Sequence, residues 1–139
     1  MVKNNYEFIE HTADIAIRVK GKDLKELFKN AAAAVFDIIA ERKTSEGTNI
    51  RLAVSQEADN LDELFVNWLN ELLSLSAAKD LIFTEFKIDS IEEKALKAAV
   101  FGQRTNSFRM KAEIKAATYH ELKLEKNDSG WQATLILDV

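Results

Sequence analysis

The sequence contains no cysteine and no proline, only 4 glycines and only 2 histidines in 139 residues. Without cysteine there are no disulfides and no thiolate metal sites. With two histidines, any metal site must be built mainly from oxygen. Oxygen donors select hard cations such as calcium or magnesium. There is no apolar run of membrane-spanning length, and Met1-Val2-Lys3-Asn4-Asn5 lacks the apolar core of a signal peptide. A cytoplasmic protein with no membrane contact is the expectation. Basic charge is also short: the formal net charge is −4. Such a chain does not grip nucleic acid by itself, because phosphate binding needs a basic footprint. There is no phosphate-binding glycine loop, no nucleophile elbow and no zinc spacing.

What is present is enough apolar material for one packed domain, 47 % of residues. Ile15, Ile17 and Val19 alternate with Ala16, Arg18 and Lys20, the period of a strand with one buried face. Asp23 with Glu26 forms a capping pattern. Leu24, Leu27, Phe28, Ala31, Val35, Ile38 and Ile39 then recur at helical spacing. Ile50, Leu52 and Val54 alternate as a second strand. Asn60 with Glu63 repeats the cap, and Leu61, Leu64, Phe65, Trp68, Leu69, Leu72 and Leu73 form the apolar stripe of a second helix, which leaves Asn70 and Glu71 at the surface. From Leu81 onward short strand-like runs dominate: Leu81 to Ile88, Ala95 to Phe101, Ser107 to Thr118, Glu121 to Lys126 and Trp131 to Val139. Asn127-Asp128-Ser129-Gly130 reads as a hairpin turn. The four glycines read as punctuation between periodic segments. The order predicts an α+β fold, a mixed β-sheet with two helices packed on one face.

Asp14 stands at the mouth of the first alternating strand, on the face opposite Ile15, Ile17 and Val19. Alone, it reads first as a solvated strand-end carboxylate. In the last strand, Trp131, Ala133, Leu135, Leu137 and Val139 share one face, and Gln132, Thr134, Ile136 and Asp138 the other. Asp138 stands one residue from the α-carboxylate of Val139. If the first and last strands are neighbours, Asp14, Asp138 and Val139 crowd three carboxylates together, and a hard cation with oxygen ligands relieves their repulsion. The competing reading is a frayed, solvated strand end. His11 and His120 can each orient a carboxylate, contact a partner or be structural. Lys115 supplies a positive charge near this acidic end, or is a strand lysine with a solvated tip.

Five segments in order resemble the archease family: Phe8-Ile9-Glu10-His11-Thr12-Ala13-Asp14, Leu27-Phe28-Lys29-Asn30-Ala31-Ala32, Trp68-Leu69-Asn70-Glu71-Leu72-Leu73, Lys115-Ala116-Ala117-Thr118-Tyr119-His120, and the closing Asp138-Val139. The resemblance covers nearly the whole chain and is thinnest from Ser76 to Ser107. It implies a single archease-like domain, 1–139, with a small inserted β-rich subdomain around 81–110. It implies a protein cofactor, not an enzyme, for an RtcB-type RNA ligase in tRNA splicing and RNA repair. Such a cofactor promotes formation of the ligase–guanylate intermediate and multiple turnover, and meets tRNA only through the ligase. It also implies a divalent cation, with calcium as the first expectation and magnesium or manganese as alternatives, held by Asp14, Asp138 and Val139. His11, Lys115 and His120 lie in family motifs and are expected in supporting or partner-contact roles. Two other readings stay open. One is a metal-dependent phosphoester hydrolase using the same carboxylates to activate water. The other is a general chaperone or scaffold whose acidic end is structural.

Overall fold

The computed structural model describes residues 5–9, 14–44 and 47–139. Alternating apolar residues build β2 (Ile15–Gly21), β4 (Ile50–Glu57) and β9 (Gly130–Asp138), as their period requires. The helices are α1 (Leu24–Ile39) and α2 (Leu61–Lys79). Both begin at the capping residues that the sequence pattern marks. The Asp23 carboxylate accepts from the Glu26 N–H at 2.9 Å, and the Asn60 carboxamide oxygen accepts from the Glu63 N–H at 2.8 Å. Around them run β1 (Tyr6–Ile9), β3 (Ala40–Arg42), β5 (Leu81–Ile91), β6 (Ala95–Arg104), β7 (Phe108–Met110) and β8 (Ala116–Asn127).

The strands form three sheets, ordered β1-β2-β9-β8, β4-β6-β5 and β3-β7. The pairings among the described residues are antiparallel. The expected α+β architecture of sheets with two helices stands. The β-rich stretch after α2 does not make its sheet alone: β5 and β6 take β4, which precedes α2, as their third strand, while β7 pairs back with β3.

The core lies between sheets and helices. Helix α1 packs against both β2 and β5, which explains why its buried residues spread around most of its circumference. Phe28 and Phe65 meet edge to face at 5.1 Å, and Phe36 meets Phe83 the same way at 5.5 Å. Trp68 is fully buried and donates its indole N–H to the Phe28 carbonyl at 2.9 Å, which locks α2 onto α1. A buried indole N–H left unpaired would cost about 1–3 kcal/mol.

Two local readings change. Ser107 to Thr118 is not one strand: a 3-10 turn at Thr105–Ser107, the short β7 and an irregular 111–115 precede β8. Gly102 is not punctuation but lies inside β6, because a β-carbon there would sit 2.5 Å from the Ile82 carbonyl oxygen. Gly130 does punctuate. It opens β9 after the Asn127 turn at φ 133°, and its missing side chain lets Gly21 approach.

On the edge strand β1, the Tyr6 hydroxyl donates to the Asp37 carboxylate at 2.6 Å, tying the strand to α1. Burial, then this bond and the Asp37 charge, push the Tyr6 phenol well above its ordinary value. The folded phenol therefore titrates later than the unfolded one. Its stabilisation is complete below the unfolded phenol value of 10.0 and is lost as pH rises past it toward the folded value. Urea midpoints measured from about pH 9 to 11.5 should fall for the wild type more steeply than for Tyr6→Phe. Equal slopes would remove Tyr6 as a source of alkaline lability.

Candidate metal centre at the end of the four-stranded sheet

The first and last long strands of this sheet are direct neighbours. β2 pairs with β9 from Gly21↔Trp131 to Ile15↔Leu137. Carried one step past its last pair, Ile15↔Leu137, that register would set Asp14, at the bend before β2, across from Asp138. Partners across an antiparallel ladder point to the same face, so both carboxylates project from the side opposite Ile15, Ile17, Leu135 and Leu137. The core face behind them is firm: Ile17 and Leu137 are fully buried. Asp14 is half-buried and Asp138 is exposed. Val139 follows, 42 % exposed.

The third wall is the start of β8. Ala116 pairs with Asp138, and the Lys115 N–H donates to the Asp138 main-chain oxygen at 2.7 Å. Lys115 is exposed, so its ammonium can sample the mouth of this sheet end. The structure thus brings Asp14, Asp138, Val139 and Lys115 to one end of one sheet.

His120 is not brought there. It lies beyond Ala116–Thr118 on a bulge of β8, where its Nε2 is 3.2 Å from a Glu121 carboxylate oxygen and its main-chain N–H donates to the Thr118 hydroxyl. His11 lies outside the described residues.

Chemically, the site offers oxygen. Asp14 and Asp138 give two carboxylates at the same sheet end, and Val139 adds main-chain oxygen. Among the described residues, no group of three or more His, Asp or Glu side chains is placed to hold a metal. A cation here would draw the rest of its shell from main-chain oxygen and water, as hard cations accept. The donor set fits calcium or magnesium and does not fit a softer metal that demands nitrogen or sulfur.

One residue escapes the sequence reading. The helical pattern sets Asn70 at the surface, but it is half-buried and its carboxamide grips the main chain of Ala117 twice. Oδ1 accepts the Ala117 N–H at 2.7 Å, and Nδ2 donates to the Ala117 carbonyl at 3.1 Å. The available signal is an amide beside an apolar stripe, between Leu69 and Leu72. Such a side chain carries both a donor and an acceptor.

Residues 6–139 match the model of the Archease protein family. The chain belongs to the archease family. Among curated archeases, that of Pyrococcus abyssi is 39 % identical, with 96 % of this chain and 98 % of the relative aligned. The Methanosarcina barkeri archease is 36 % identical over 96 % and 95 %. The solution structure of Methanobacterium thermoautotrophicum protein 1598 superposes with a TM-score of 0.73 at 28 % identity, covering 99 % of this chain and 100 % of that one. The crystal structure of a Thermotoga maritima archease, described as a possible chaperone, shares the fold at a TM-score of 0.67, 24 % identity and 94 % coverage of each chain. In this archease, Asp14 directly precedes β2 and Asp138 closes β9, at the same end of the four-stranded sheet.

Like charges directly across a ladder destabilise it. In chelator-treated buffer, Asp138→Asn should raise the unfolding free energy by about 0.2–1 kcal/mol. Urea titration checks this. A loss of stability would mean that the two carboxylates do not oppose each other in the folded protein.

Proposed function

We propose that this archease activates an RtcB-type RNA ligase in tRNA splicing and RNA repair, and is not itself an enzyme. It promotes guanylylation of the ligase and thereby multiple turnover. The observation that supports this most is the opposition of Asp14 and Asp138 at an open sheet end, beside Val139 and Lys115. This is a place where a divalent cation, calcium first, can be held and presented to another protein. Asp14 and Asp138 would bind the cation through their carboxylates, Val139 through main-chain oxygen, and Lys115 would balance charge or meet phosphate. The bound cation supplies positive charge next to a nucleotide's phosphates. The net charge of −4 suits docking to a basic ligase cleft. tRNA is met only through the ligase, and no helix among the described residues is long and apolar enough to cross a membrane.

Hydrolysis by the same carboxylates is the weaker reading. It needs a general base near them, for which the sequence offers His11 or His120; His120 lies on a separate bulge, and His11 lies outside the described residues. Asp14→Ala or Asp138→Ala should abolish stimulation of ligase guanylylation, with the circular dichroism spectrum unchanged. A folded variant that stimulates at the full wild-type rate would overturn the proposal. Phosphoester cleavage by the protein alone, lost in Asp14→Ala, would favour the hydrolase.

A further inference from the structure

The site-facing end of β8 is held by very little sheet. The strand is the sheet's outer member, and next to the acidic end it makes three pairs: Ala116↔Asp138, Ala117↔Leu137 and Thr118↔Ile136. The ladder then breaks and resumes at Lys123↔Thr134. Between these points β8 runs through residues 119 to 122 while β9 uses only Leu135. The excess residues form a wide bulge, with Glu121 in the left-handed region at φ 56°. A ladder of three pairs at a sheet edge, cut off by a bulge, frays unless something holds its outer side. Yet this segment carries the Lys115 N–H that bonds the Asp138 main chain.

Asn70 supplies the hold. Its carboxamide takes the Ala117 N–H and gives an N–H to the Ala117 carbonyl, which is what a neighbouring strand would provide at that residue. The helix that carries Asn70 is fixed two residues earlier by Trp68 and its bond to Phe28, and by the buried Leu69 and Leu72 on either side. We propose that Asn70 is a positioning residue for the cation site. It stands in for a missing strand at Ala117 and so sets Ala116 and Lys115 against Asp138. The carboxamide is the group that does this. A carboxylate of the same shape can only accept, and an apolar side chain can do neither. The inference rests on the cation-site reading above and names the residue that keeps its third wall in place.

The test is calorimetric titration of calcium chloride into the full chain, with amide exchange read at Lys115 and Ala117. Asn70→Ala should bind calcium about tenfold more weakly, the size of effect seen when a group supporting a metal ligand is removed. It should also exchange faster at Lys115 and Ala117. Asn70→Gln keeps both hydrogen-bonding groups on a longer arm and should recover part of the affinity. It also serves if the alanine variant does not fold. Leu96→Ala, in the buried core on the separate three-stranded sheet, is the control for a general loss of stability, and it should bind calcium within about twofold of wild type, a difference of about 0.4 kcal/mol. Calcium affinity unchanged in Asn70→Ala and Asn70→Gln, or weakened as much by Leu96→Ala, would overturn the role of Asn70 while leaving the cation site standing. Failure of the wild type to bind calcium would overturn both.

Discussion

The antiparallel ladder between β2 and β9 is the contact on which the rest of this archease depends. It joins Ile15 to Leu137 across most of the chain's length. The pairing fixes the core face, where Ile17, Val19, Ala133, Leu135 and Leu137 lie buried beneath the helices. Strand parity then gives the opposite phase to the other face, where Ala16 and Ile136 are also buried and Asp138, at the sheet's end, is exposed. The pair Ile15↔Leu137 is the last of this register, and Asp14 and Asp138 are the residues that follow it at the sheet's end. A slip of one residue in this register would turn the core face out and separate the carboxylates. Fold and site are thus one constraint seen from the two faces of a sheet.

That coupling explains why much of the site is legible in the sequence. The phase of Ile15, Ile17 and Val19 fixes the side on which Asp14 stands, and the phase of Ala133, Leu135 and Leu137 does the same for Asp138. The adjacency of the two strands is a separate matter. Period says which face a residue takes, and it carries no information about which strand lies alongside. The helices are legible for a local reason. Asp23 with Glu26, and Asn60 with Glu63, place hydrogen bonds that need no knowledge of the rest of the chain.

What the sequence hides depends on contacts distant along the chain. β3 and β7 are three residues each, too short for any period, and exist because Ala40 to Arg42 finds Phe108 to Met110. Gly102 is required inside a strand by the Ile82 carbonyl, which no local pattern reveals. The bulge after Thr118 removes His120 from the acidic end, although its motif begins at Lys115 beside it. Asn70 looks like the polar flank of a helix, and its partner lies 47 positions away. In each case the deciding partner is tertiary.

The central claim is that Asp14 and Asp138 oppose one another and that a cation turns their repulsion into a bridge. A double-mutant cycle of Asp14→Asn and Asp138→Asn, read by urea unfolding first in chelator and then in calcium, measures this coupling directly. The account predicts an unfavourable coupling without calcium that becomes favourable with it. A coupling near zero in both buffers, or one whose sign calcium does not change, would contradict it.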